Sequence, residues 1–195
     1  MIHLKKLFIS LTLLLLLVAG CGNGFEAQTD WEVEPFSVTT HRDQPLALED
    51  LEGTIWLSTF IFTNCNTICP PMTYNLSDIQ ESLEQEGVDN YKIVAFSVDP
   101  DVDTPAVLTD YLGMYELADE SKWELLTGYD QSFISQLARN SFKAVVQNDP
   151  NSDQVIHGSS FYLVDQEGIV VKNYSGVSEV PVDEIVQDMK ALSEQ

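Results

Sequence analysis

Cys65 and Cys69, three residues apart in the stretch TFIFTNCNTICPPMT (Thr59 to Thr73), are the only cysteines beyond the first 21 residues. Such a pair suits three kinds of chemistry. A structural disulfide here would close a five-residue loop, which stabilises a fold by only roughly 2 kcal/mol on the chain-entropy model, a small staple. Thiol–disulfide exchange needs neighbouring thiols with one thiolate stabilised, although a three-residue gap departs from the usual C-x-x-C. Metal binding is the third, because two thiolates are soft ligands suited to Cu(I), and an added imidazole also accommodates Cu(II). Zinc would take two cysteines, one histidine and a water, the pattern of a catalytic rather than a structural site.

Pro70 and Pro71 set the local geometry. Proline is accepted in the first turn of a helix but pushes the residue before it away from helical angles. Cys69 therefore falls at or just before a helix N-terminus, and Cys65 in the loop leading to it. Unpaired N–H groups and the positive end of the helix dipole lower the pKa of a thiol placed there.

The elements that must hold this pair are legible from periodicity. Phe36 to Thr39 and Gln44 to Leu48 flank the turn-like His41-Arg42-Asp43 and predict a leading hairpin. Thr54 to Thr63, apolar on both faces, reads as a buried central strand. Met72, Leu76, Ile79 and Leu83 recur at helical spacing up to a stop at Gly87. A strand at Tyr91 to Val98, a helix at Pro105 to Tyr115, a strand at Trp123 to Leu126 and a helix at Gln131 to Phe142 follow. Ser160 to Val164 and Ile169 to Tyr174 form an antiparallel hairpin around Asp165 to Gly168, and a helix over Pro181 to Leu192 closes the chain. This ββαβαβαββα order, with two cysteines between a buried strand and the next helix, predicts an α/β thioredoxin-like fold. It has a central mixed sheet, flanking helices and an N-terminal hairpin extension.

Of three histidines, His3 lies at the extreme N-terminus and His41 in a turn beside Arg42 and Asp43. His157, at the mouth of the final hairpin, remains. In a thioredoxin-like fold that loop comes near the helix after the cysteines, which makes His157 a candidate third ligand.

The first 20 residues read as a lipoprotein signal peptide: Lys5 and Lys6, the apolar run Leu7 to Val18, then Ala19 and Gly20. The run is 12 residues long, short of the ~20 that span a bilayer. Val18-Ala19-Gly20-Cys21 resembles the lipobox of bacterial lipoproteins, so Cys21 is the expected lipid-bearing residue, and residues 21–31 a lipidated tether to one domain over 32–195. The expected location is the bacterial cell membrane, facing outside the cytoplasm. The 195 residues carry 31 acidic and 9 basic side chains, a formal net charge of −22, and two of the basic ones lie in the leader. Such a surface repels phosphate backbones and argues against nucleic acid.

Taken together, the stretch from Thr59 to Cys65, Cys69-Pro70-Pro71-Met72-Thr73, the loop SVDPDVDTP from Ser97 to Pro105, and HGSSFYLVD from His157 to Asp165 resemble the Sco (SenC) family, over about Phe36 to the C-terminus. That family consists of membrane-tethered, thioredoxin-like copper proteins needed to assemble the CuA centre of cytochrome c oxidase. The resemblance implies copper as the bound metal and Cys65, Cys69 and His157 as its ligands, the two cysteines doubling as a redox pair. It further implies the CuA-bearing oxidase subunit, and a thiol–disulfide oxidoreductase, as partners. Many members place an acidic residue directly before the histidine. Here Ile156 stands there and the nearest acid is Asp153, so the resemblance assigns no outer-shell partner to the imidazole. The reading from another class is a thiol–disulfide oxidoreductase or thiol peroxidase acting through Cys65 and Cys69, with no metal.

Other candidates resolve into scaffold. Asp99, Asp101 and Asp103 open like a calcium loop, but Thr104 replaces the required glycine and Asp110 the closing glutamate, so a helix N-cap at Thr104 is the simpler reading. Met72 shares its spacing with Leu76 and Ile79 and reads as core, as do Trp56, Phe60 and Phe62 of the central strand.

Overall fold

The computed structural model describes residues 24–65, 67–152 and 154–195. The leader and Cys21 lie outside the described residues, as does Asp153.

The strands are β1 (Trp31–Glu32), β2 (Ser37–Thr40), β3 (Pro45–Ala47), β4 (Ile55–Ile61), β5 (Tyr91–Ser97), β6 (Trp123–Thr127), β7 (Val146–Asn148), β8 (Val155–His157), β9 (Ser160–Val164) and β10 (Ile169–Ser175). The helices are α1 (Cys69–Gln85), α2 (Pro105–Leu112), α3 (Gln131–Phe142) and α4 (Val182–Ser193). Eight strands form one mixed sheet in the order β1-β10-β9-β4-β5-β6-β2-β3. At its centre β4, β5 and β6 run parallel, with β9 antiparallel on the other side of β4. The leading hairpin β2–β3 joins antiparallel to β6 and extends that edge. The expected thioredoxin-like architecture, hairpin extension included, is the one observed.

All seven residues of β4 are buried, which is why its sequence is apolar on both faces. Side chains alternate across a strand. Trp56 and Phe60 meet Phe142 of α3 edge-on at 6.4 and 5.4 Å, and Phe142 also meets Tyr162 at 5.2 Å. Ile55, Leu57 and Ile61 point to the opposite face, where α1 and α4 pack against each other. Burial of these side chains, about 1.5–3 kcal/mol each, supplies the main stabilisation.

Three features differ from the sequence expectations. Helix α2 stops at Leu112 rather than Tyr115, with the Met114 N–H bonded to the Tyr111 carbonyl in a tighter turn. Part of the expected tether is laid along β10: Gln28 and Thr29 both donate backbone N–H groups to the Val171 carbonyl, and Phe25 packs on the core. A second, two-stranded sheet, β7–β8, stands apart from the main one and carries His157 opposite Val146.

Candidate metal centre

Helix α1 begins at Cys69 itself, with Pro70 and Pro71 in its first turn. The first N–H groups of a helix have no partner within it. The prolines remove two of these donors, and the N–H of Cys69 turns to the sulfur of Cys65, 3.4 Å away. The Thr67 hydroxyl lies 3.7 Å from the same sulfur. The double proline thus does more than start the helix: it leaves the Cys69 N–H as the donor that draws the Cys65 loop onto the helix end.

His157 arrives from β8. Its Nε2 is 3.6 Å from Cys69 Sγ, and the two sulfurs and an imidazole nitrogen all lie within 4.8 Å of one another. Nδ1 is 2.9 Å from the Gly158 carbonyl oxygen. A carbonyl only accepts, so Nδ1 carries the proton and Nε2 presents a lone pair to the sulfurs. The outer-shell partner that no acidic neighbour supplies is therefore a backbone carbonyl one residue on. Phe62 walls the imidazole edge-on at 5.6 Å.

Electrostatics separate the three groups. Burial holds His157 below its ordinary pKa, against the pull of the Gly158 hydrogen bond, and keeps the ring neutral. Burial pushes the Cys65 thiol up, but hydrogen bonds from the Cys69 thiol, the Thr67 and Cys69 backbone and the Thr67 hydroxyl outweigh it and bring the pKa below the usual thiol value. Cys69 is driven well above that value by burial first, then by its hydrogen bond to Cys65 and the charges of Cys65 and Asp103, against a backbone hydrogen bond at Phe62. Cys69 is wholly buried, whereas Cys65 joins Phe62, Thr67, Ile68 and His157 in lining an open cleft. Both cysteines are free thiols. Two soft sulfurs and a neutral imidazole with its lone pair turned inward suit copper in either oxidation state, and the cleft leaves one side of such a site open to exchange.

Around the site, Thr104 caps α2 by accepting from the Val107 N–H at 3.4 Å, and Met72 is core. What sequence reasoning missed is Asp103. Its side chain is fully buried and accepts from the Thr63 hydroxyl and the Ser97 hydroxyl, both at 2.5 Å, and from the Thr63 N–H at 3.3 Å. Thr63 is two residues before Cys65, so this carboxylate fixes the base of the cysteine loop. Parallel pairing of β4 with β5, which sets Ile61 beside Ser97, was the one available signal that the loops after both strands would meet. Gly176 and Asn75 are a second missed pair: Asn75 Nδ2 donates to the Gly176 carbonyl at 2.9 Å, and the Gly176 N–H to the Ser159 carbonyl at 2.8 Å. That clasp ties α1, which bears Cys69, to the segment that follows His157.

Comparison with known proteins agrees with this geometry. The SCO1/SenC family model matches residues 26–194. The SCO1 protein homolog of Bacillus subtilis is 44% identical over 182 residues, covering 93% of each chain. Among solved structures, BsSco, a member of the Sco family of cytochrome c oxidase assembly proteins in which a disulfide switch was identified, superposes with a TM-score of 0.78. It is 46% identical, over 87% of this chain and 97% of that one. Yeast Sco1 with copper bound superposes with a TM-score of 0.69 at 25% identity, over 82% of this chain and 89% of that one. By sequence and by fold, this chain belongs to the SCO1/SenC family.

Proposed function

We propose that the protein binds one copper ion through Cys65, Cys69 and His157 and serves in assembly of the CuA site of cytochrome c oxidase, held at the outer face of the bacterial membrane by lipid on Cys21. The observation that carries this reading is the approach of the His157 lone pair to two sulfurs within 4.8 Å. The relatives' part in oxidase assembly supports the partner, and the leader with its lipobox-like Cys21 supports the anchor. Copper is cargo here. When the two thiolates give up two electrons to a partner disulfide, a bond forms between Cys65 and Cys69, the partner's S–S bond breaks to two thiolates that take protons from water, and the metal loses two ligands.

A second reading, thiol–disulfide exchange as the main task, is favoured by one observation: the lowered pKa of Cys65, which is the thiol facing the cleft. Anaerobic copper titration separates the two. The expected result is uptake of one equivalent of Cu(II) with intense thiolate-to-copper absorption, lost in Cys65→Ala and Cys69→Ala and weakened in His157→Ala. Uptake untouched by His157→Ala overturns the three-ligand site; turnover of a protein disulfide without copper or His157 supports the exchange reading.

A further inference from the structure

Tyr74 and Met114, 64% and 69% exposed, are the most open of the large hydrophobic side chains among the described residues. Tyr115 links the two, by a ring contact with one and by chain adjacency with the other. The Tyr74 ring meets Tyr115 edge-on at 5.7 Å, and Tyr115 follows Met114 in the chain. Asp78 and Glu81 stand one and two turns beyond Tyr74 on the same face of α1 and line a groove with it and Glu116.

The charge around this patch is one-sided. No lysine or arginine occurs between Asp43 and Tyr91 or between Ile93 and Ser121, so α1 and α2 carry none. Among the described residues, the ion pairs join Arg42, Lys92, Lys172 and Lys190 to Glu124, Glu184, Asp188 and Glu86, and the patch acids are outside them. Nor do these acids gather round a cation: among the described residues, the group of three or more ligating side chains close enough to hold an ion is Cys65, Cys69 and His157.

The patch is also joined to the candidate centre. Tyr115 stacks against Tyr111 at 5.3 Å, the Tyr111 hydroxyl is 2.7 Å from that of Thr73, and Thr73 donates to the Cys69 carbonyl at 3.1 Å. Tyr74 lies five residues past Cys69, about 7.5 Å along the helix. A protein partner of ordinary size covers about 800 Å² on each side, a disc roughly 30 Å across, which is wide beside the about 7.5 Å advance along α1 from Cys69 to Tyr74.

Resting on the copper and thiol exchange proposed above, we infer that Tyr74, Met114 and Tyr115, rimmed by Asp78, Glu81 and Glu116, form the docking surface for a lysine- and arginine-rich face of the protein that exchanges metal or electrons with Cys65 and Cys69. Aromatic and methionine side chains are enriched at protein interfaces. A cationic side chain over the Tyr74 ring gains from the ring quadrupole, and the carboxylates beside it supply charge complementarity and steering.

The test uses the full chain in non-ionic detergent, reduced and free of metal, with hexalysine as the probe. Binding is followed by amide shifts and calorimetry at low salt. The expected shifts centre on Tyr74, Met114 and Glu116. Asp78→Asn/Glu81→Gln/Glu116→Gln should weaken binding by about tenfold and Tyr74→Ala by about threefold. Glu49→Gln/Glu52→Gln/Glu167→Gln, an equal charge change at another groove, should weaken it by less than about twofold. Equal losses in both triple variants, or no loss in Tyr74→Ala, overturn the inference. Copper uptake by the same variants is measured separately, so failure of the metal reading with patch-centred peptide binding intact is recognisable as such.

Discussion

Asp103 accepts both the hydroxyl and the backbone N–H of Thr63, forty residues earlier in the chain, and this one carboxylate anchors the loop that carries Cys65. Removing the acceptor leaves buried donors on Thr63 and Ser97 unpaired, at about 1–3 kcal/mol for each group stranded. Asp103→Ala should therefore lower the urea midpoint strongly and, in the surviving folded protein, shift the thiolate-to-copper absorption. Asp103→Asn, which keeps one acceptor oxygen, should fall between it and the native chain. A native absorption spectrum in Asp103→Ala would show that the loop does not depend on this anchor.

Two glycines near His157 should behave in opposite ways. A Cβ at Gly176 would lie 2.7 Å from the Ser159 carbonyl oxygen, closer than the backbone can tolerate, and 3.2 Å from the Met72 methyl, which would have to give way, whereas at Gly158 the nearest atom is 3.8 Å away. Gly176→Ala, nineteen residues from the histidine, should cost about 1–3 kcal/mol and weaken copper binding by displacing the clasp. Gly158→Ala, directly beside the histidine, should do neither. Thermal melts paired with copper titrations read both effects.

The thiols should react in order. Cys65 faces the cleft with its pKa lowered, while Cys69 is wholly buried with its pKa raised. Thiolate is the reactive form. At pH 8, iodoacetamide should label Cys65 at least about tenfold faster than Cys69, a ratio that peptide mass spectrometry measures directly. Preferential labelling of Cys69 would reverse the assignment of the reactive thiol.

His41 gives the fold an acid sensitivity remote from the centre. It is 3% exposed, its Nδ1 accepts the Leu125 N–H at 3.2 Å, and its Nε2 is buried with no partner among the described residues. Burial first, and then the charge of Arg42, lowers its pKa to about 4. The unfolded chain protonates this imidazole near pH 6.5 and the folded one does not, so the unfolded state binds more protons between those values. Stability from this group is full above pH 6.5 and falls on acidification by about 1.4 kcal/mol per unit until about pH 4. Urea midpoints measured across that range should slope in the native protein, and the slope should flatten in His41→Gln.

Much of this architecture was legible because particular residues state it locally. Helix α3 spans the same residues as the periodicity indicated, with Asp130 capping it by accepting from the Phe133 N–H. The place of Cys69 followed from two prolines, which the first turn of a helix accepts and its interior does not, ahead of the helical spacing of Met72, Leu76 and Ile79. The ribbon β7–β8 was not legible, since strands of three residues with one buried position each are too short to show a period. Asp103 escaped for a different reason: an aspartate in a loop has the sequence signature of a turn or cap whether it is solvated or buried, and its burial is decided by the neighbouring loop. The tautomer of His157 escaped because its partner is a backbone carbonyl, which every residue possesses and no side-chain pattern announces.

The third candidate ligand stands on a short ribbon outside the eight-stranded sheet, while the two sulfurs belong to the edge of the core. Gln147, Asn148 and Ile156 are exposed on that ribbon, so exchanging them leaves the buried aromatic side chains in place. Grip on the cargo and integrity of the scaffold are thus separately adjustable, so descendants of this chain, natural or designed, are free to trade tight holding for quick surrender at little cost in foldedness.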